Sequence, residues 1–199
     1  MWEYFKGKEN TDQILKEKGE NLAHMLVGGI NGAVYAFLEE LKDNKNIELN
    51  KDASAALIYE MVYLSLHLTA RVTLEVVSDK KAKIFLESLY LKSREILANE
   101  FGIKGRNKVR QFNTIFDDTY VQRDNEYIRH GLESPSPEEA WGEKHTLYQT
   151  FGKISTDLID LRVDLPADRI FQTLYICARI PTELTRELLR LGSSVESYY

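Results

Sequence analysis

The stretch "YEMVYLSLHLTARVTLEV", Tyr59 to Val76, is apolar enough for a protein core, yet Glu60, His67 and Arg71 interrupt it. These side chains are able to do chemistry. Glu60 can act as a base or a metal ligand. His67 carries protons near neutral pH and is the commonest type of metal ligand. Arg71 can clamp a carboxylate or a phosphate. At ~100° per helical residue the three fall within about 40° of one another, with Glu75 at the edge of the same strip. Met61, Leu64, Leu68 and Leu74 flank them and leave little room for a wide water-facing side. The pattern therefore predicts that Glu60, His67 and Arg71 are substantially buried and hydrogen-bonded to each other or to neighbouring helices, because a lone buried charge is too costly to persist. Two readings of the line are open. It is a structural network, or it faces a cavity and binds a small molecule or a metal.

A second polar group stands in "FDDTYVQRDNEYIRH". Asp117, Arg123 and Asp124 repeat at helical spacing, with Asp118 and Tyr120 close by. Glu126 and His130 are four apart and able to share a metal ion or a hydrogen bond. This segment reads as a solvated face from which some groups, Asp117 and Asp118 among the candidates, satisfy Glu60, His67 and Arg71. In "IKGRNKVR", Lys104, Arg106, Lys108 and Arg110 gather at a helix start, where cations oppose the helix dipole. A bound anion would relieve that conflict. From Asp117 to Glu143 acids outnumber the two arginines Arg123 and Arg129. Such asymmetry suits association between copies or a charged partner.

Known catalytic patterns are missing. A di-iron carboxylate bundle needs Glu-x-x-His motifs, and the chain has Glu20 with His24 and Glu126 with His130 at i,i+4 instead. There is no Cys pair for zinc, no His-Glu-x-x-His, no Gly-x-Ser-x-Gly and no phosphate loop. No cofactor and no metal is expected.

The elements that position these residues read as helices throughout. Apolar residues recur at three- and four-residue spacing in nearly every segment, and no Asn-Gly or Asp-Gly hairpin turn intervenes. A first helix is expected from Thr11-Asp12 to about Lys42. Gly28, Gly29 and Gly32 lie inside it, each at a cost of about 1 kcal/mol against Ala. Close approach of a neighbouring helix is the expected reason, with a hinge or a ligand-contacting backbone as the alternatives. A second, largely enclosed helix spans about Lys51–Val77 with Asn50 or Asp52 as its cap. A third spans Asp79–Glu100 with Gly102 past its end, and a fourth about Asn107–Arg129, closing at Gly131. Ser136, Pro137 and Glu139 form a capping box for a fifth. A sixth starts near Pro166, with a kink or break expected at Pro181.

These elements make an all-α, antiparallel bundle of about six helices around a buried second helix. With 199 residues, 43% apolar, one core and one domain are expected, with residues 1–9 and 192–199 as loose tails. The net charge of −5 argues against general nucleic-acid binding. The single cysteine, Cys177, allows no intrachain disulfide and suits a small buried hydrophobe. No signal peptide and no unbroken apolar run of ~18 residues is visible, so a soluble cytoplasmic protein without membrane contact is expected. The preferred function is a non-catalytic binding or assembly module that forms homo-oligomers or engages a protein partner. The alternatives are a small-molecule or metal site at Glu60, His67 and Arg71, with Asp117 and Asp118, and an anion or nucleic-acid contact at Lys104, Arg106, Lys108 and Arg110.

Overall fold

The computed structural model describes residues 2–45, 48–129, 150–151, 153–155, 157 and 167–193. Among them there is no strand, and the chain is all-α. Its helices are α1 (Trp2–Lys45), α2 (Lys51–Val76), α3 (Asp79–Glu100), α4 (Arg106–Tyr127) and α5 (Ala167–Ser193). The described positions between 150 and 157 are helical as well. The expected capping box at Ser136 and the closing Gly131 lie outside the described residues.

Local chemistry explains most boundaries. The Asn50 side chain accepts a hydrogen bond from the Ala53 amide at 2.8 Å, so Asn50 and not Asp52 caps α2. α3 ends where Gly102 adopts a φ of 65°, open to glycine at no steric cost. There the Gly102 amide bonds the Asn99 carbonyl and the Ile103 amide the Ala98 carbonyl, at 3.0 and 2.8 Å. That pair of bonds is a Schellman closure.

Three expectations need correction. α1 starts at Trp2 and not at Thr11-Asp12. No proline interrupts "WEYFKGKEN", and its Glu and Lys residues are good helix formers. α5 is helical through Pro181 without a break. The Ser65 hydroxyl donates to the Ala178 carbonyl, in the turn before the proline, at 2.9 Å. Gly28, Gly29 and Gly32 do not receive a neighbouring helix: a Cβ added at any of them meets nothing within 4 Å. They lie off the stripe of Leu26, Ile30, Val34, Phe37 and Leu41 that α1 buries.

The residues fall into two compact units. The first holds the chain up to Val27, Leu68–Asp117 and the chain from Pro181. Its core includes Leu22, Leu26, Val72, Phe85, Leu89, Phe116 and Leu189. Here α1 and α3 approach closely at Gly19, where an added Cβ would stand 2.6 Å from the Phe85 carbonyl oxygen and 3.0 Å from the Leu89 amide. The Lys18 ammonium donates to the Leu188 carbonyl at 2.8 Å, tying α5 to α1. Asp117 accepts bonds from the Tyr90 hydroxyl and the Arg94 guanidinium, both at 2.6 Å.

The second unit holds Gly28–His67 and Asp118–Ile180. Ile30, Val34, Phe37, Leu57, Met61, Leu64, Phe151 and Leu174 are buried in it. The Phe151 and Tyr175 rings meet with centroids 6.2 Å apart. Along α2 every residue from Glu60 to Thr69 is buried. Within α1, Thr11–Asp43 is long and apolar enough by composition to cross a membrane, although only 39% of its most apolar window is buried. The core helix of a soluble protein meets the same criterion. Glycines and scattered polar residues interrupt every apolar run of this segment without making its average polar, so no unbroken run marks it in the sequence.

Candidate functional site: a polar seam between α2 and α4

The chemistry-bearing residues of the second unit gather where α2 meets α4. α2 supplies Glu60, Tyr63 and His67 at i, i+3 and i+7, which one helix face collects. α4 supplies Tyr120, Arg123, Asp124 and Tyr127 at i, i+3, i+4 and i+7, a stripe of the same period.

Glu60 is the anchor. Its side chain is only 2% exposed, and that of Arg123 is 15%. The Arg123 Nε donates to Glu60 Oε2 at 2.7 Å. The Tyr127 hydroxyl donates to Oε1. Both carboxylate oxygens are therefore engaged by α4. Arg123 also donates to Glu126 Oε2 at 3.0 Å through its second arm. Burial pushes the Glu60 carboxyl above its ordinary range, while Arg123 and the Tyr127 hydroxyl pull it back. Burial and the adjacent Glu60 charge together raise the Tyr127 phenol well above its usual value.

His67 is the second anchor. Its Nδ1 lies 2.7 Å from Asp124 Oδ1, and its ring packs against that of Tyr127 with centroids 5.6 Å apart. The carboxylate accepts, so Nδ1 carries the proton. Asp124 is half-exposed, and this end of the seam approaches water. Between the anchors the Tyr63 and Tyr120 rings lie 6.3 Å apart. Burial raises both phenols, and the Glu60 and Asp124 charges add to this at Tyr63 and Tyr120 respectively. Burial also pushes Tyr59, one residue before Glu60, up to about 12.

Glu60 and His67 are buried and bonded to a neighbouring helix, as their periodicity predicts. Arg71 is half-buried and belongs to the first unit. Asp117 is taken by Tyr90 and Arg94, also in the first unit, and Asp118 is exposed. The residues from α4 that satisfy the α2 line are thus Arg123, Asp124 and Tyr127. In the sequence Arg123 is one charge on a face that reads as solvated, and Tyr127 carries no signal of its own. The matching periods of the two stripes were the available signal. His130 lies outside the described residues.

Lys104, Arg106, Lys108 and Arg110 are all exposed. Gly105, at a φ of 92°, stands between Lys104 and the start of α4 at Arg106, and its carbonyl accepts the Val109 amide at 3.0 Å. Cys177 is half-buried, and burial raises its thiol. Among the described residues no group of three or more His, Cys, Asp or Glu side chains is arranged to hold a metal ion. No family model, no curated protein and no solved structure matches this chain.

Proposed function

We propose that the chain is a non-catalytic helical module for binding or assembly that associates with copies of itself, soluble and cytoplasmic. In this reading its helices form one antiparallel bundle of about six, with α2 at the centre. The observation that carries the non-catalytic part is the state of Glu60. The most deeply buried acid of the polar line spends one oxygen on Arg123 and the other on Tyr127, and each of these comes from the chain itself. A carboxylate held in this way fastens α2 to α4, with both of its oxygens engaged inside the chain.

What supports self-association is the outer face of α4. Val121 and Ile128, seven residues apart on one strip, are 59% and 61% exposed. The Ile128 amide still bonds the Asp124 carbonyl at 2.9 Å, so the helical path carries on to it. Asp118 flanks one end of the strip and Arg129 the other, and both are exposed. A two-fold pairing of such strips is self-complementary. Val121 of one copy then meets Ile128 of the other, and Asp118 approaches Arg129. In a Cys177→Ser background, Val121→Cys combined with Ile128→Cys should give covalent dimers under mild oxidation. A chain that stays monomeric under those conditions removes this face as the interface.

A further inference from the structure

We propose that α1 and α5 each contain a built-in point of local helix opening, at Gly28–Gly32 and around Pro181 respectively. In α1 the passage from the first unit to the second falls between Val27 and Gly28; in α5 it falls between Ile180 and Pro181. Both helices carry their weakest backbone there.

The glycines of α1 have no steric reason to be glycines. An added Cβ meets nothing within 4 Å at Gly28, Gly29 or Gly32, whereas at Gly19 it would stand 2.6 Å from a backbone oxygen. Gly19 is required by packing. The other three weaken the helix, since glycine keeps more backbone freedom in the open chain than alanine does. Pro181 weakens α5 by a different route. It has no amide to give the Cys177 carbonyl, and its ring crowds the preceding turn. It is nevertheless buried in an unbroken helix. Side chains brace the turns on either side. Ser65 donates to the Ala178 carbonyl at 2.9 Å, and Thr185 donates to the Pro181 carbonyl at 2.7 Å.

α2 and α4 make the same passage at His67–Leu68 and Asp117–Asp118, without glycine or proline. These are the helices joined by the Glu60–Arg123 and His67–Asp124 bonds. Among the described residues softening thus falls on α1 and α5, while the pair that holds the polar seam keeps a regular backbone. Helices open locally where backbone bonds are weak; in α1 the glycines are exposed, and in α5 the proline leaves the Cys177 carbonyl without its i+4 amide.

Amide hydrogen exchange on the full-length chain tests this. Peptides covering residues 28–36 and 178–185 should exchange at least tenfold faster than those covering 57–66 of α2. Combining Gly28→Ala, Gly29→Ala and Gly32→Ala should slow the 28–36 peptides about tenfold or more and leave the α3 peptides unchanged. Pro181→Ala should do the same for 178–185. Should that variant fail to fold, a slowed glycine triple still supports the α1 point and an unslowed one overturns it. Wild-type peptides at both places that exchange as slowly as those of α2 would overturn the whole inference. The readout is intramolecular, so it stands or falls separately from self-association.

Discussion

Replacing Arg123 with Met keeps the aliphatic stem packed and removes the charge that faces Glu60. The pair is 2.7 Å apart, with side-chain exposures of 15% and 2%. Removing one partner of a buried pair leaves an uncompensated charge, at a cost of about 3–5 kcal/mol. The lost bond to Glu126 adds little, because that i,i+3 partner is partly solvated and such pairs contribute roughly 0.2–0.5 kcal/mol. The deficit should depend on pH with a definite sign. Burial already raises the Glu60 carboxyl, and Arg123 opposes the rise; without Arg123 it moves further up. An acid whose folded-state value exceeds its unfolded one is penalised above the folded value and relieved as pH falls through it. The Arg123→Met deficit is therefore larger at pH 8 than at pH 5, as Glu60 takes up a proton when pH falls. Urea unfolding followed by circular dichroism reads it directly. With a slope of about 2 kcal/mol per molar urea, the midpoint should fall by about 1.5–2.5 M at pH 8. A loss below about 1 kcal/mol, the range of exposed pairs, or one that does not change between pH 8 and pH 5, would refute the reasoning.

Three further outcomes follow from the same geometry. Tyr127→Phe strands one Glu60 oxygen, so stability should fall by about 1–3 kcal/mol in the same urea assay; an unchanged midpoint would mean that water replaces the hydroxyl. Gly19→Ala should destabilise by about 1–3 kcal/mol despite alanine's better helix propensity, because the Phe85 carbonyl lies 2.6 Å from the new methyl and belongs to a helix backbone. A rise in melting temperature for that variant would show that α1 and α3 separate easily. Asn50→Ala should cost about 1 kcal/mol through the lost cap of α2, with Asn50→Asp close to wild type, and thermal unfolding distinguishes the two.

Much of the architecture was legible because helical period is a local property. Gly102 supplies the stop within the sequence itself, and α3 appears at Asp79–Glu100 as expected. The burial of Glu60 and His67 was legible for the same reason: their neighbours in phase are Leu and Met. Which helix would satisfy them was not. Partner choice is a tertiary matter, and Arg123 sits among Asp117, Asp118, Asp124 and Glu126, where it reads as one charge on a solvated face. Arg71 shares the phase of Glu60 but lies about 16 Å further along the helix at ~1.5 Å per residue, far enough to enter other surroundings. The glycines misled because a glycine demanded by packing and one left in open space look alike in a sequence. Gly19 is the first kind, and Gly28, Gly29 and Gly32 are the second.

Sedimentation equilibrium of the wild-type chain across the micromolar range, at neutral pH and moderate salt, bears most directly on the proposed role. The weight-average mass should climb from 23.0 kDa toward twice that value with concentration, and a Val121→Asp, Ile128→Asp variant should stay at the lower mass with its helix content intact. A wild-type mass fixed at 23.0 kDa throughout the range would contradict it.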